Sequence, residues 1–386
     1  MIFDNVIGPD RPIIWVLRFW PVLVTSFISA LGATWLCKKI ALKFGIVDKP
    51  DNLVKTHKEP VAYLGGVGIF VGLAAGVMVS IVMLARNEFF PEILKWLLGI
   101  LAGGAIACLV GVIDDLLNIK PFQKILGQVL AAVFLLLVGI IPNLDFLAIS
   151  PINLVIPEMI KIVLEVLIVL FFVIGATNSL NLLDGLDGLC AGVTAIITVA
   201  MLFLAIHLAT WGFSDVGDPV RVIICFCLVG GVCGFLPFNQ HPAKIFMGDA
   251  GSMLLGFMAA SLMLLFSRRF PRWWLASIVV FGLPILDTAV ALVRRLLNHR
   301  PLFVSDRGHI YDQMIDRGIP LRKTVLICYL LTGVYAIIGL TMSQIKTLHA
   351  AIIYMFVFII SGVIVWKKGY LKMEGLRGAV HKKDSV

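Results

Sequence analysis

Residues 95–113 read KWLLGILAGGAIACLVGVI, and Asp114-Asp115 follow directly. Between Lys95 and Asp114 no side chain is charged, enough helix to cross the hydrocarbon core of a bilayer. The run then stops on two adjacent carboxylates, although lysine marks a membrane boundary at lower cost. The apolar part sets the fold. The acids at its end are the first indication of function.

The pattern repeats along the chain. Apolar runs lie near 13–37, 64–85, 95–113, 125–142, 160–176, 188–210, 221–236, 251–267, 273–293, 323–343 and 348–366. Read as helices, they make an all-α polytopic transmembrane bundle of about 11 spans. No hydrophilic stretch is long enough for a separate soluble domain. Residues 1–386 therefore read as one integral-membrane domain, with distinctive motifs over about 40–320 and a tail at 367–386. The runs at 160–176 and 221–236 are short for full spans. Composition agrees: of 386 residues, 60% are hydrophobic and only 14% charged, with mean hydropathy +1.01. These values exclude a disordered chain, a secreted disulfide scaffold and an ordinary cytosolic enzyme. The seven cysteines are odd in number, lack a C-x-x-C pair and mostly fall in apolar runs, so they read as buried small hydrophobes. With Asp4 and Asp10 ahead of a long first run, no cleavable signal peptide is expected.

A net charge of +9 would suggest nucleic acid in a soluble protein. In a polytopic one it reads as the basic excess of cytoplasmic loops, and no nucleic-acid partner is expected. With eleven spans, 22 of the 32 Lys and Arg share a side with the C-terminus. This places the C-terminus in the cytoplasm and the N-terminus outside. Arg268, Arg269 and Arg272 fall in an outer loop and run against that assignment.

The same loop parity gathers the unusual polar residues on one face. They are His57 to Pro60 with Gly65-Gly66, Asp114-Asp115 with Lys120 and Lys124, and Asn178 to Gly188. Phe246 to Ser252 and His299 to His309 complete the set. The even-numbered loops hold nothing comparable. One polar site at the cytoplasmic membrane edge follows.

Each cluster allows a bland reading beside a functional one. Asp114-Asp115 can mark a boundary, or one acid can hold a cation while the other faces a second group. Asn178, Asn181, Asp184 and Asp187 recur every three residues. They share one face if helical, or form a tight loop if Gly185 and Gly188 dictate it. Asp249 fits a helix N-cap, or a carboxylate holding Mg²⁺ against a phosphate at a helix N-terminus. Asp287 lies inside a span and is a functional candidate or an interhelical polar bridge. Arg294 and Arg295 are membrane anchors or phosphate ligands. No two histidines have zinc spacing, and hard carboxylate oxygens favour Mg²⁺ or Mn²⁺. No P-loop is present. Carboxylates, a divalent cation and basic residues at bilayer level suit phosphoryl transfer from a nucleotide-borne group to a lipid phosphate.

Taken in order, these motifs are recognisable. His57…Pro60…Gly65-Gly66, Asp114-Asp115…Lys124, Asn178…Asn181…Asp184-Gly185…Asp187-Gly188, Gly248-Asp249…Gly251-Ser252 and Pro301…Asp306-Arg307…His309 all occur with spans between them. The chain resembles the polyprenyl-phosphate N-acetylhexosamine-1-phosphate transferase family. Gly45 to Pro50 and Ser305 to Ile310 look like its undecaprenyl-phosphate GlcNAc-1-phosphate transferase branch. The run of three histidines usual in the phospho-MurNAc-pentapeptide transferases is absent. Tyr311-Asp312 replaces two histidines that usually end the GlcNAc-type motif.

The resemblance implies transfer of N-acetylhexosamine 1-phosphate, GlcNAc in the first instance, from a UDP-sugar to undecaprenyl phosphate with release of UMP. This would initiate a cell-envelope glycan at the cytoplasmic face of the inner membrane. It implies catalytic roles for Asp114, Asp115, Lys124 and His309, and Mg²⁺ or Mn²⁺ on Asp249 and Asp115. Substrate contacts are implied for His57, Gly65, Gly66, Asn178, Asn181, Asp184, Asp187 and Arg307. A homodimer is compatible with it. Two other readings stand beside this one. A phospho-MurNAc-pentapeptide transferase shares the motifs. An anionic-solute transporter would place polar groups on both faces, or at the midplane with broken helices.

Overall fold

A computed structural model describes residues 12–48, 60–148, 156–210, 216–268, 271–300 and 308–372. Among them are thirteen α-helices. They are α1 (Pro12–Phe44), α2 (Gly65–Leu84), α3 (Phe90–Leu117), α4 (Pro121–Val138), α5 (Glu158–Leu183), α6 (Leu189–Ala209) and α7 (Gly217–Asn239). Then follow α8 (Gly248–Phe266), α9 (Pro271–Val280), α10 (Gly282–Leu297), α11 (Ile310–Asp316), α12 (Leu321–Met342) and α13 (Thr347–Lys367). A two-stranded antiparallel ribbon, β1 (Val47–Asp48) and β2 (Val61–Ala62), lies between α1 and α2.

Ten of these helices are long and apolar enough to cross a membrane, and α9 with α10 makes an eleventh span if the bent pair counts as one. The chain is a multi-pass helix bundle, as the apolar runs require. The expected continuous span at 273–293 is corrected: the helix breaks at Phe281 and turns by 68°. Pro284 has no N–H to give Val280, and the Tyr335 ring lies where a Cβ on Gly282 would stand, 2.6 Å from Cδ1.

The first helices run up and down, so α1, α3, α5 and α7 end where α2, α4, α6 and α8 begin. Of an apolar 18-residue stretch of α8, 94% is buried, against 11% of the corresponding stretch of α13. Helix α8 is therefore the centre of the bundle, and α13 lies on its rim. Neighbours reach α8 closely because small residues line the seams. A Cβ on Gly66 would stand 2.1 Å from Gly251 N, and one on Gly111 would stand 2.4 Å from the Ala250 backbone. These two contacts fix the first turn of α8 against α2 and α3.

The connections at this end are stitched together as well. Phe246 N donates to Ala62 O (2.9 Å), Gly65 N to Phe246 O (3.0 Å) and Gly66 N to Met247 O (3.0 Å). Asn118, in a left-handed conformation, ends α3, and Pro121 starts α4 three residues later. At the opposite end, Arg268 donates to Gly139 O (2.9 Å) and covers the Trp96 ring, and Arg272 donates to Ile345 O (3.3 Å). Two of the three arginines that opposed the charge rule thus bond backbone carbonyls, one at the end of α4 and one in the α12–α13 connection.

Candidate functional site

The polar site forms where α3, α4, α5 and α8 meet, and each helix delivers its residues from a terminal turn. Asp114 and Asp115 lie in the last turn of α3, inside the helix and not in the loop beyond it. Asp114 Oδ1 accepts the N–H of Ile119 (3.0 Å) and closes the turn into α4. Its Oδ2 accepts Lys124 Nζ (2.8 Å) from the first turn of α4. The same ammonium donates to Asn181 Oδ1 (3.2 Å) and to Asp249 Oδ2. Asn181 Nδ2 returns to Asp249 Oδ1 (2.6 Å) and Ser252 Oγ (3.0 Å). Three oxygens from three helices thus surround one cationic point.

Asp249 does not cap its own helix. Asp115 does so from α3: its Oδ1 accepts Asp249 N–H (2.9 Å) and its Oδ2 accepts Ala250 N–H (3.2 Å). The carboxylate satisfies two otherwise unbonded donors and faces the positive end of the α8 dipole. This corrects the N-cap reading of Asp249 and gives its physical consequence. Relieved of capping, the Asp249 side chain turns towards Lys124 and Asn181.

The Asn178 to Asp187 segment resolves into both alternatives in sequence. Asn178 and Asn181 lie on the final turns of α5, Asp184 follows its end, and Asp187 lies in the turn before α6. Asn178 points along the bundle, donating to Gln128 Oε1 (3.0 Å) and Ile174 O (2.7 Å). No bond joins it to the Lys124 cluster. Burial, with the negative charges of Asp249, Asp115 and Asp187 nearby, holds the Asp184 carboxyl well above the usual carboxylate range. Asp187 Oδ2 accepts Ala243 N–H (3.1 Å) and lies 2.7 Å from His241 Nδ1.

A second polar contact borders the first. His309 Nδ1 lies 2.8 Å from Asp287 Oδ2, and Asp287 Oδ1 accepts Ile310 N–H (2.7 Å). Tyr311 donates its hydroxyl to Leu182 O (2.8 Å), between Asn181 and Asp184. The last loop is thereby joined to the end of α5. Burial pushes the Tyr311 phenol well up, so it remains a donor.

Of the expected site residues, the structure joins Asp114, Lys124, Asn181 and Asp249 by direct bonds. Asp115 adjoins them through the α8 backbone. Gly65 and Gly66 are buried, and their N–H groups bond to the α7–α8 connection, which gives them a packing role. Arg294 and Arg295, read as membrane anchors or phosphate ligands, are buried at the end of α10. His57, Pro301, Asp306 and Arg307 lie outside the described residues. Sequence reading missed His241, Gln128 and the anchoring role of Tyr311. Only Tyr311 carried a signal, as a departure from its motif.

Among the described residues, no three His, Cys, Asp or Glu side chains form a ready metal cage. Mg²⁺ is commonly held by one or two carboxylates completed by substrate phosphates. Asp114, Asp249 and the Asn181 amide oxygen supply a partial set of that kind. The donor set fits such an ion.

A family model described as glycosyl transferase family 4 matches residues 97–267. The chain is 30% identical over 367 residues to a Bacillus subtilis protein named probable undecaprenyl-phosphate N-acetylglucosaminyl 1-phosphate transferase, covering 94% of this chain and 93% of that protein. It is 30% identical to a Mycolicibacterium smegmatis decaprenyl-phosphate N-acetylglucosaminephosphotransferase, over 81% of this chain and 79% of the relative. A phospho-N-acetylmuramoyl-pentapeptide-transferase of Heliobacterium modesticaldum is 33% identical, over 64% of this chain and 74% of its own.

Proposed function

We propose a reaction on the premise that this chain belongs to glycosyl transferase family 4: it moves GlcNAc 1-phosphate from UDP-GlcNAc to undecaprenyl phosphate and releases UMP. An oxygen of the lipid phosphate attacks the β-phosphorus of the donor. The bond from that phosphorus to the α–β bridging oxygen breaks, UMP leaves, and a lipid diphosphate sugar remains.

The observation that carries this reading is the meeting of Asp114, Asn181 and Asp249 on Lys124 Nζ at one end of the bundle. A cationic point ringed by hard oxygens at a helix N-terminus suits a nucleoside diphosphate. Asp249 would hold Mg²⁺, as expected from the sequence, with Asp114 in place of the expected Asp115, whose two oxygens accept α8 N–H groups; the ion would neutralise charge on the diphosphate and on departing UMP. Lys124 is placed to neutralise an attacking phosphate. Asp115 keeps the first turn of α8 aimed at the site. Asn181, Asp184 and Asp187 hold the nucleotide, and His309 contacts a phosphate or the sugar. Excess basic residues on the loops of this end support a cytoplasmic site, reached by the lipid phosphate from the inner leaflet.

The relative named for GlcNAc transfer aligns along nearly the whole chain, whereas the muramoyl-pentapeptide relative aligns along 64% of it. This favours the GlcNAc donor. Purified protein given undecaprenyl phosphate and Mg²⁺ is expected to release UMP from UDP-GlcNAc at least about tenfold faster than from UDP-MurNAc-pentapeptide, a difference of about 1.4 kcal/mol. Equal rates, or preference for the pentapeptide donor, would reverse the assignment. A nucleotide assay of UMP decides it.

A further inference from the structure

Asp287 is a carboxylate within a broken span, 1% exposed, on the helix that follows the 68° bend. A carboxylate at membrane depth costs several kcal/mol unless it is paired. Its partners are specific. One oxygen lies 2.8 Å from His309 Nδ1 and the other accepts the N–H of Ile310. An ionised carboxylate accepts only, so the proton between them belongs to Nδ1. Chemistry by the ring, whether gaining or giving a proton, is then confined to Nε2.

The ring plane is fixed as well. Tyr311 lies parallel to the imidazole, with centroids 5.6 Å apart and 9° between planes. Its hydroxyl is tied to Leu182 O, and it fills the space beside Gly185, where a Cβ would come 2.2 Å from the phenol oxygen. His309 is thus gripped on one edge from α10 and stacked on one face by a ring anchored to the α5–α6 corner. Tyr311 is also where this chain departs from the usual histidine.

We propose that Asp287 and Tyr311 are positioning residues that hold the His309 imidazole in one tautomer and one plane for the transfer reaction. This rests on the function proposed above. A purely structural role for the pair would weaken folding without selective effect on turnover. A positioning role lowers kcat and acts through His309 alone.

The test compares wild type, Asp287→Asn, His309→Gln and the double variant in detergent with UDP-GlcNAc, undecaprenyl phosphate and Mg²⁺. Each single variant is expected to lose roughly 10²-fold in kcat, the scale of one proton-handling group, with donor KM within about threefold. The double variant is expected to match His309→Gln within about threefold, because both changes remove one function. Tyr311→Phe keeps the ring and loses the Leu182 bond. Its kcat is expected to fall less than that of Tyr311→Ala, again with little change in KM. This pair lies outside the spans and provides a second test should Asp287→Asn fold poorly. Wild-type kcat in Asp287→Asn, or a double variant slower by the product of the two single losses, overturns the inference. So does full activity in His309→Gln with an active wild type, which leaves the transfer reaction standing. A wild type that releases no UMP removes both.

Discussion

Asp249→Asn is expected to lower kcat by at least about 10³-fold while the protein still inserts and melts close to wild type. An asparagine is nearly isosteric with the aspartate, and its amide oxygen can still accept from Asn181 or Lys124. Lys124 also retains Asp114, so its charge stays compensated. The α8 N-terminus keeps its cap because Asp115, not Asp249, accepts the first N–H groups. What the variant lacks is one negative charge at the point proposed to hold Mg²⁺ and the diphosphate. Steady-state kinetics beside a thermal melt separates the effects. Activity within tenfold of wild type would remove Asp249 from the reaction.

Lys124→Met should damage both stability and turnover. The ammonium bonds two carboxylates, and the side chains of Lys124 and Asp114 are only 15% and 11% exposed. Without it, Asp114 and Asp249 face each other with no intervening cation. Removing one member of a buried pair costs about 3–5 kcal/mol, and the partial exposure of this cluster puts the expected loss near the lower figure. Turnover should fall by about 10²-fold or more, because the attacking phosphate loses its neutralising partner. Lys124→Arg restores charge in a different shape and should recover stability more than rate. A melt of Lys124→Met indistinguishable from wild type would show that the ion pairs contribute little.

These variants test features that differ in how far they could be read from the sequence. The spans were legible because lipid imposes a simple rule: a helix about twenty residues long must be apolar. Loop parity then brought Asp114, Asn181 and Asp249 to one end without any contact being known. Helix ends were less legible. Hydropathy fell at Asp114 and again at Asn178, yet α3 and α5 continue because partners on other helices satisfy those side chains. The capping of α8 by Asp115 in place of Asp249 was invisible, since it depends on α3 and α8 approaching at Gly111 and Ala250. The break at Phe281 had a local signal in Gly282 and Pro284, but the apolar run concealed it. Gly65-Gly66 drew attention as a motif, whereas its structural part is to admit the backbone of α8. His241 gave no signal at all, because its pairing with Asp187 joins two loops 54 positions apart.

In the proposed reaction this site moves a phosphate together with the sugar. UDP-GlcNAc labelled with ³²P in the β-phosphate, given with undecaprenyl phosphate and Mg²⁺, distinguishes this transfer from transfer of the sugar alone. The label is expected to enter the lipid fraction as a diphosphate-linked sugar while unlabelled UMP is released. Label recovered in the nucleotide as UDP, with sugar alone on the lipid, would contradict it.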